Sequence, residues 1–526
     1  MKGKTWKLAL GGVALAAVLA AAPAAAAECG DLASLSLPNG EVTSAALVAP
    51  GAFRQPAGPG APPGVGGGAY GSLPEFCRVQ ATLTPTSDSD IKVEVWLPAA
   101  DWNGKFVGIG NGIWAGQLSY SQLADPLSRG YAVATTDTGH TGSGLTAEWA
   151  IGHPEKLVDF GHRAVHEMTV TAKRAIEALY GRAPSLSLWN SCSTGGRQGL
   201  MAAHRYPEDY DAISAMAPAN PMTDLMTQSM WAGWQPNRAP GAMVPVPKMA
   251  AVHRAAVAQC DGGDGLRDGL IGLPLGCDFD PGVLQCTAGD NNDCLTAAQV
   301  ETVRAIYRGP PGLTGWPVGS ELQLAALTQG PQPFPVALTY FTMLAFADRP
   351  GWDWKSFDYT ADAAASRAYG AGMLDVPASG LDAFFARGGK LLLSHGWADG
   401  LIPATNTIAF HQALLQSLPE RRAQRQLRLF MAPGMDHCAG GEGPSQFDTL
   451  GVIDAWAAND RPPERILATR PTAAPGGPPG APAAPPREPM SRPLCAWPNL
   501  AVYRGRGDPN DAESFVCGPL LRRIGS

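Results

Sequence analysis

Three residues far apart in the 526-residue chain have the types needed for nucleophilic catalysis: a serine, an aspartate and a histidine. Ser193 lies in a sharp turn between a predicted strand and a predicted helix, with Ser191 two residues before it and Gly195 two residues after it. This is the G-x-S-x-G pattern of a nucleophile elbow, with serine in place of the first glycine. Small residues allow the tight turn that raises the serine hydroxyl above a sheet, beside a helix N-terminus that can stabilise an oxyanion.

Two later loops contain the candidate acid and base. Asp399 follows a predicted strand at 390–394, and His437 follows the next predicted strand at 427–431. The order serine, aspartate, histidine, with each residue at the carboxyl end of a strand, is that of α/β-hydrolases. A serine in a glycine-rich turn is by itself structural more often than catalytic, but with both partners present a Ser193-Asp399-His437 triad is the favoured interpretation.

Each loop also contains a second candidate. Asp436 directly precedes His437, and an adjacent residue is poorly placed to reach the Nδ1 atom of that ring. His395 precedes Asp399 by only four residues, so we interpret it as a residue that lines the substrate pocket rather than as the base. A triad alone does not choose between esters and amides, so peptidase is the alternative reaction class.

Strands and helices alternate around these loops. Runs of apolar residues, or of alternating apolar and polar residues, predict strands at 91–97, 105–109, 131–136, 185–189, 211–216, 390–394 and 427–431. Apolar residues that recur with a period of 3.6 predict helices at 163–180, 199–205 and 405–418. The alternation stops within an irregular block and then resumes. This pattern predicts an α/β fold with a parallel sheet that carries an inserted domain.

The irregular block sets the predicted domain boundaries. Residues 28–220 and 386–526 are assigned to an α/β-hydrolase catalytic domain, and residues 221–385 to a large inserted lid domain. Residues 471–487 are rich in Pro, Ala and Gly and predict a surface loop.

Composition excludes one class of partner. The chain has 39 basic and 46 acidic side chains, a formal net charge of −7, and only 16% charged residues. Because a nucleic-acid-binding surface needs many basic groups to neutralise phosphates, we expect no nucleic-acid partner. The 45% of hydrophobic residues and 14 Trp are enough for a packed core. The sequence does not indicate an oligomeric state.

The first 27 residues have the pattern of a cleaved signal peptide. Three lysines among the first seven residues precede an apolar run at 8–22, and alanines at 25–27 precede Glu28. An uncleaved membrane anchor is the alternative, but the run is short and no later run reaches the ~20 apolar residues that span a bilayer. We therefore expect a secreted or periplasmic protein without a membrane partner.

Ten cysteines, an even number, follow the predicted cleavage site, and in an oxidising compartment they predict five disulfides. Pairing by proximity in the sequence predicts Cys29–Cys77, Cys260–Cys277, Cys286–Cys294 and Cys495–Cys517, and leaves Cys192–Cys438 as a distant pair. These last two flank the candidate nucleophile and base, so contact between Ser193 and His437 would bring them within reach of each other. A zinc site is the alternative, but the chain has no C-x-x-C pair.

Together these motifs resemble the tannase and feruloyl esterase family, which also contains a hydrolase of mono(2-hydroxyethyl) terephthalate. The resemblance covers nearly the whole mature chain, through the segments 102–106 (WNGKF), 192–197 (CSTGGR), 395–399 (HGWAD), 433–438 (PGMDHC) and 492–495 (RPLC). One departure is Ser191, where the family usually has glycine; serine is also small. The resemblance implies an α/β-hydrolase with a lid domain and a triad braced by a disulfide between the neighbours of serine and histidine.

The resemblance also implies roles for individual residues. The nucleophile, the general base and the orienting acid would be Ser193, His437 and Asp399, respectively. The oxyanion hole would use the Thr194 N–H and a second N–H from an early glycine loop. For the second donor we choose Gly112, with Gly110 and Asn111 as equally near alternatives.

An aspartate-rich segment, CDGGDGLRDGL at 260–270, lies in the predicted lid. On sequence alone it fits ordinary Asp-Gly turns as well as a calcium site, and it lacks the spacing of an EF-hand. The resemblance implies a structural Ca²⁺ bound by the side chains and carbonyls of Asp261, Asp264, Asp268, Leu266 and Leu270.

The substrate is the least specified part of the prediction. Trp316 and Trp352, together with His395, are the predicted substrate contacts, because indole rings can stack on an aromatic acid; ordinary core packing is the alternative. Residues 309–348 contain no Lys or Arg, whereas the resemblance implies that the terephthalate-ester hydrolase holds its substrate's carboxylate with a lid arginine. Arg349 and Arg367 remain as other sources of charge.

We therefore expect a serine esterase that acts on small aromatic esters, namely feruloyl, cinnamoyl or galloyl esters. A hydrolase of mono(2-hydroxyethyl) terephthalate-type monoesters is the alternative within the family. A catalytically inactive hydrolase fold that serves as a binding protein is the alternative of another class, and it would predict loss of a triad residue.

Overall fold

A computed structural model of the chain describes residues 27–56, 70–472 and 487–519, together with Met1 and Gly3. Nearly all of the predicted signal peptide, and residues 473–486 of the predicted 471–487 loop, lie outside the described residues. None of the helices in these ranges combines the length and the apolar character needed to cross a bilayer.

The centre of the molecule is a nine-stranded sheet. Its strands, in chain order, are β1 Gly40–Val48, β2 Phe76–Leu83, β3 Ile91–Pro98, β4 Lys105–Gly108, β5 Ala132–Thr136, β6 Leu186–Cys192, β7 Ala212–Met216, β8 Lys390–Gly396 and β9 Leu427–Ala432. Two small antiparallel pairs follow it: β10 Arg465–Arg470 with β11 Met490–Cys495, and β12 Leu500–Tyr503 with β13 Phe515–Gly518.

The α-helices of the described ranges fall into three groups along the chain. Before β7 lie α1 Tyr120–Ser128, α2 Pro154–Val158, α3 Ala164–Tyr180 and α4 Thr194–Arg205. Between β7 and β8 lie α5 Met222–Trp234, α6 Val246–Cys260, α7 Ala297–Arg308, α8 Ala325–Thr328, α9 Pro335–Thr339, α10 Ala361–Gly370 and α11 Asp382–Ala386. After β8 come α12 Ala404–Ser417, α13 Glu420–Gln426 and α14 Thr449–Asn459.

The strand order identifies the fold. In space the strands follow β1-β2-β3-β5-β4-β6-β7-β8-β9, and the pairs from β5 to β9 are parallel. β3 is antiparallel to both neighbours, and the added β1 is antiparallel to β2. This is the predicted α/β-hydrolase fold, with one extra edge strand that the sequence patterns did not predict. All seven predicted strands form, whereas β1 and β2 are absent from the prediction.

The central strands are buried on both faces, which explains their nearly continuous apolar sequences. Along β8, Leu391 and Leu393 enter the core beneath α3, α4 and α12, whereas Leu392 enters the opposite core with α1 and α14. Because successive side chains of a strand point to opposite faces, one apolar run serves both layers.

In the chain between β7 and β8, α6 and α7 pack around a separate core, whereas α5 and α9 also pack into a core shared with Trp114 and Phe160. Val252, Val303 and Trp316 belong to this separate core. Residues 376–386 do not pack into this separate core, because Phe384 and Phe385 of α11 pack into the core of the main sheet. The predicted lid boundary at residue 385 is therefore too late: the end of the insertion already belongs to the catalytic domain.

Candidate active site

Ser193 occupies a strained turn between β6 and α4. Its φ of 63° and ψ of −127° are backbone angles that residues other than glycine rarely adopt. The Ser193 N–H donates to the Met216 carbonyl at 2.9 Å, which ties the turn to the end of β7. A side chain at Gly196 or Gly199 would overlap β6 or β7, so these glycines let α4 pack directly on the sheet. The result is the nucleophile elbow that the sequence predicts.

The three predicted triad residues form one chain of hydrogen bonds. Ser193 Oγ lies 3.0 Å from His437 Nε2, and His437 Nδ1 lies 2.7 Å from Asp399 Oδ2. Asp399 is fully buried, and its Oδ1 accepts from the N–H groups of Leu401 and Ile402 at 2.8 and 2.9 Å. Residues more than 200 positions apart thus meet with the spacing required for proton transfer from serine to histidine.

The charges within this chain reinforce one another. Burial raises the pKa of the Asp399 carboxyl, but the positive charge on His437 and hydrogen bonds from two imidazoles hold that pKa well below its usual range. Burial lowers the pKa of His437, but the charge of Asp399, the hydrogen bond to it and the charge of Asp436 together raise that pKa by more, so the net shift is upward. An ionised Asp399 can only accept, so His437 donates its Nδ1–H and leaves Nε2 free to take the serine proton.

The structure also shows the surroundings of the two alternative residues, Asp436 and His395. Asp436 accepts no hydrogen bond from His437 within the described chain; burial, with the charges of Asp399 and Glu442, raises the pKa of Asp436 to about 6. His395 was predicted to line the substrate pocket, and that prediction is wrong. Its side chain is fully buried and lies 3.0 Å from Asp399 Oδ2, because β8 directs it beneath the acid loop.

The loop after β4 carries the three candidates for the second oxyanion-hole donor. Thr194 and Gly112 both line the cavity beside Ser193. The Asn111 N–H is engaged by Gln198 Oε1 at 3.0 Å, and Gly110 packs against α4. Among the described residues nothing accepts a hydrogen bond from the Gly112 N–H. Of the three alternatives, Gly112 is the one with a free donor at the cavity.

Two glutamines that sequence reasoning missed hold the catalytic loops in place. Gln198 of α4 pairs its amide with Asn111, donating from Nε2 to Asn111 Oδ1 at 3.1 Å. Gln323, from the insertion, accepts from the N–H groups of Gly400 and His437 at 2.8 and 3.1 Å. Gln198 directly follows the 192–197 motif, a signal that could have been used, whereas nothing near Gln323 in the sequence indicates its role.

All five predicted disulfides are present, between Cys29 and Cys77, Cys192 and Cys438, Cys260 and Cys277, Cys286 and Cys294, and Cys495 and Cys517. The Cys192–Cys438 bond joins positions 246 residues apart, with their Cα atoms 6.0 Å from each other. One cysteine directly precedes Ser193 and the other directly follows His437. This bond therefore ties the turn at Ser193 to the loop that carries His437.

Replacing both Cys192 and Cys438 with serine should depress kcat more than the loss of stability explains. A displacement near 1 Å costs about 100-fold in an oriented site, and we expect a loss of that order in kcat at temperatures where the variant stays folded. The matched control replaces Cys286 and Cys294, which close a short loop in the insertion, and should lower only the melting temperature. Equal kcat losses in both double variants would contradict this expectation.

A cavity of about 550 Å³ opens beside Ser193. Its volume lies in the range of small-molecule sites. Most of the wall is apolar and comes from the insertion and the acid loop, namely Met222, Leu225, Met226, Leu327, Phe334, Val336, Leu401 and Ile402. The other lining groups include the polar side chains of Asn111, Gln122, Thr194 and Ser229. No Asp, Glu, Lys or Arg is among the described residues that line it.

The predicted tryptophan contacts are wrong. Trp316 is buried in the separate core of the insertion, and Trp352 packs beside Phe341 and Phe346; neither lines the cavity. Aromatic composition alone cannot distinguish rings that pack a core from rings that face a ligand. Among the Phe, Tyr and Trp side chains of the described ranges, the one that lines the cavity is Phe334.

The aspartate-rich segment forms a tight loop beside the catalytic domain. Asp261 accepts from the N–H groups of Asp268 and Gly269, and Asp268 Oδ2 lies 2.6 Å from Arg492 Nη2. Burial, and then the charges of Asp268 and Asp261, raise the pKa of Asp264 to about 6. The loop is therefore short of positive charge.

Two backbone carbonyl oxygens add to the possible metal ligands of this loop. The carbonyls of Leu266 and Leu270 accept no hydrogen bond from any described residue, although Leu270 is buried. The three aspartate carboxylates do not all lie within 4.8 Å of one another among the described residues. Carboxylate and carbonyl oxygens are the ligands that Ca²⁺ prefers, so the chemistry of these oxygen atoms fits the ion.

Comparison with known proteins extends over most of the chain. A family model described as tannase and feruloyl esterase matches residues 77–323 and 341–518. The chain is 34% identical to an uncharacterized esterase of Xanthomonas campestris pv. campestris, covering 96% of this chain and 93% of that protein. It is 28% identical to mono(2-hydroxyethyl) terephthalate hydrolase of Piscinibacter sakaiensis, with 85% of each chain covered.

The fold matches a solved structure over nearly the same extent. Feruloyl esterase B from Aspergillus oryzae superimposes with a TM-score of 0.82 at 26% identity, covering 93% of this chain and 99% of that one. The family match includes the segments that carry Ser193, Asp399 and His437. The chain belongs to the tannase and feruloyl esterase family, and it is a carboxylic ester hydrolase with an α/β-hydrolase fold.

Proposed function

We propose that the protein is an exported serine esterase that hydrolyses esters of neutral aromatic acids through an acyl-enzyme. The observation that carries this proposal is the hydrogen-bonded chain Ser193-His437-Asp399, which opens onto an uncharged apolar cavity. Feruloyl esterase B of Aspergillus oryzae, named for a phenolic acid, has the same fold at 26% identity and supports this substrate class.

In the proposed mechanism, Ser193 Oγ attacks the ester carbonyl while His437 Nε2 takes its proton. The Thr194 and Gly112 N–H groups stabilise the oxyanion that forms on the former carbonyl oxygen. His437 then returns the proton to the alcohol as it leaves, and Asp399 stabilises the imidazolium in between. Water, activated by the same histidine, cleaves the acyl-enzyme and releases the acid.

The uncharged cavity favours neutral acyl groups over terephthalate monoesters. A carboxylate buried there would have no cationic partner among the described lining residues. The two arginines considered from the sequence are engaged elsewhere, since Arg349 pairs with Asp362 at 2.7 Å and Arg367 with Asp224 at 2.9 Å. A buried charge without a partner costs several kcal/mol, which is enough to determine the preferred substrate.

Two substrates that differ in a single methyl group test this preference. At pH 7 we expect kcat/KM for dimethyl terephthalate to exceed that for monomethyl terephthalate by about 100-fold, because only the monoester carries a carboxylate into the cavity. Methyl ferulate and methyl gallate, measured in parallel, identify the preferred phenolic acid. Equal values, or a preference for the monoester, would instead favour the alternative of a terephthalate-monoester hydrolase.

A variant of the cavity wall controls for other differences between the two esters. Met226→Arg places a cation in the apolar wall and should shift the ratio toward the monoester, whereas Met226→Leu keeps the wall apolar and should leave the ratio unchanged.

Five disulfides support the proposed export, because such bonds persist in oxidising compartments. Four of these bonds lie within the N-terminal segment, the insertion or the C-terminal strands, and the fifth, Cys192–Cys438, joins two distant loops. We place the mature enzyme in the periplasm or outside the cell.

We also propose a structural Ca²⁺ in the aspartate-rich loop of the insertion. Asp261, Asp264 and Asp268 would hold it with their carboxylates, and Leu266 and Leu270 with the unpaired carbonyls described above. The ion would neutralise the crowded carboxylates and thereby stabilise the fold of the loop. The triad already supplies nucleophile and base, so the ion is assigned no part in the chemistry.

Removal of calcium should lower the melting temperature of the protein. A ligand that binds only the folded state at 100 times its Kd stabilises that state by about 2.7 kcal/mol, so chelation should be visible calorimetrically and added Ca²⁺ should reverse it. Asp264→Asn should abolish the response, while Asp280→Asn, at an exposed ion pair with Arg304, should retain it. No bound metal by elemental analysis, together with no effect of the chelator, would reject the site.

A further inference from the structure

The acid of the proposed triad is held by four donors, one of which comes from a residue without a role so far. Asp399 Oδ1 accepts from the backbone of Leu401 and Ile402. Asp399 Oδ2 accepts from His437 Nδ1 at 2.7 Å and from His395 Nε2 at 3.0 Å. The atom that orients the catalytic imidazole is therefore shared with a second imidazole.

The surroundings of His395 determine which of its nitrogens carries the proton. Nε2 faces Asp399 Oδ2 and, at 3.2 Å, the Ile402 carbonyl; both are acceptors without a proton of their own. Nε2 must therefore carry the hydrogen and donate it.

The other nitrogen, Nδ1, lies 2.7 Å from Thr407 Oγ1 on α12. If Nδ1 donated to that hydroxyl, the buried Thr407 O–H would have no acceptor among the described residues. Leaving a buried donor unpaired is costly, so the hydroxyl donates and Nδ1 accepts. His395 is therefore the neutral Nε2–H tautomer, and Thr407 selects it.

We infer that His395 is a positioning residue of the triad: its Nε2–H, fixed by the Thr407 hydroxyl, orients Asp399 Oδ2 and withdraws charge from it. The inference rests on the proposed triad and extends it to the series Thr407-His395-Asp399-His437-Ser193. His395 has no exposed surface and does not line the cavity, so it acts through Asp399 and not on the substrate.

Loss of this donor should alter the titration of His437. Without the Nε2–H bond, Asp399 Oδ2 directs its full negative charge at His437 and favours the imidazolium. The pKa of His437 then rises further, and because only the neutral ring can take the serine proton, the acid limb of kcat/KM should move to higher pH.

The other charged groups near Asp399 and His437 are unchanged when His395 or Thr407 is substituted. Asp436 also acts on His437, and Asp436 itself faces Glu442, Arg487 and His253. Since none of these groups is changed, a shifted acid limb reports the lost His395 donor.

Two pairs of variants test the inference. His395→Leu removes the donor and should lower kcat by about 100-fold with KM little changed, while His395→Gln retains an N–H and should recover part of the loss. Thr407→Val removes the hydroxyl at nearly constant volume and should lower kcat by about tenfold, while Thr407→Ser should approach the wild type. The Thr407 pair keeps the test decisive if His395→Leu fails to fold.

Three readouts separate positioning from packing: kcat and KM, the pH of the acid limb, and the rate at which phenylmethanesulfonyl fluoride sulfonylates Ser193. In His395→Leu and Thr407→Val we expect a lower kcat, an acid limb of kcat/KM at higher pH, and slower sulfonylation of Ser193. Wild-type kcat, limb and labelling rate in both variants, or a change in KM alone, would overturn the inference. If the wild type is not labelled at Ser193, the proposed triad is itself wrong and the inference falls with it.

Discussion

Ser193→Ala should abolish ester hydrolysis, with a fall in kcat approaching the ~10⁶-fold seen when a triad nucleophile is removed. The hydroxyl is the group that the geometry offers to carry the acyl group, 3.0 Å from His437 Nε2 at the edge of the cavity. The substitution removes a single oxygen atom, so the melting temperature should stay close to that of the wild type.

Ser187→Ala is a matched control, because Ser187 lies on the same strand, β6, and is buried outside the cavity. That variant should retain wild-type kcat. The decisive measurement is hydrolysis of a chromogenic ester, with mass spectrometry to locate any trapped acyl group. Activity of Ser193→Ala above about 1% of the wild type would be incompatible with the nucleophile assignment, since residual catalysis after loss of a triad member is far lower.

Asp399→Asn should reduce kcat by about 10⁴-fold while leaving the fold intact. The carboxylate accepts the Nδ1–H of His437 at 2.7 Å and is kept ionised by its two imidazole neighbours. An asparagine amide at that position can hold the imidazole in the wrong tautomer, with the proton on Nε2 and no base facing Ser193. Steady-state kinetics at several pH values would measure the loss.

Asp436→Asn is the control for this assignment, because it alters the carboxylate directly next to His437 in the sequence. Asp436 makes no hydrogen bond to the ring within the described residues, so kcat should stay near the wild-type value. A larger effect from Asp436 than from Asp399 would show that the wrong acid had been chosen.

Much of the site could be read from the sequence because its signals are local. The turn around Ser193 needs small residues within five positions, and each parallel strand needs a short apolar run, so both leave a compact pattern. Asp399 and His437 were identified because each follows such a run. Pairing by proximity likewise recovered four disulfides, whose partners are between 8 and 48 residues apart, and left Cys192–Cys438 as the fifth.

The misses share one feature, since each concerns what a side chain packs against. His395, Trp316 and Trp352 are of types that often line a site, yet His395 and Trp316 are buried in the interior and Trp352 packs, half-buried, against a neighbouring aromatic cluster. The strands β1 and β2 were not predicted, because β1 is a largely exposed edge strand and β2 is interrupted by polar residues, so neither carries a long apolar run.

The sequence by itself determined the turn at Ser193, the central strands and the four cysteine pairs that are close in the chain, because short-range steric and hydrophobic requirements specify them. Only the tertiary structure decided which glycine offers a free N–H, which helices wall an uncharged cavity, and that Gln323 contacts the backbone of His437 and Thr407 the ring of His395. These properties arise from contacts between residues tens to hundreds of positions apart. No local pattern encodes such contacts, since packing sets them only once the sheet and the insertion have folded together.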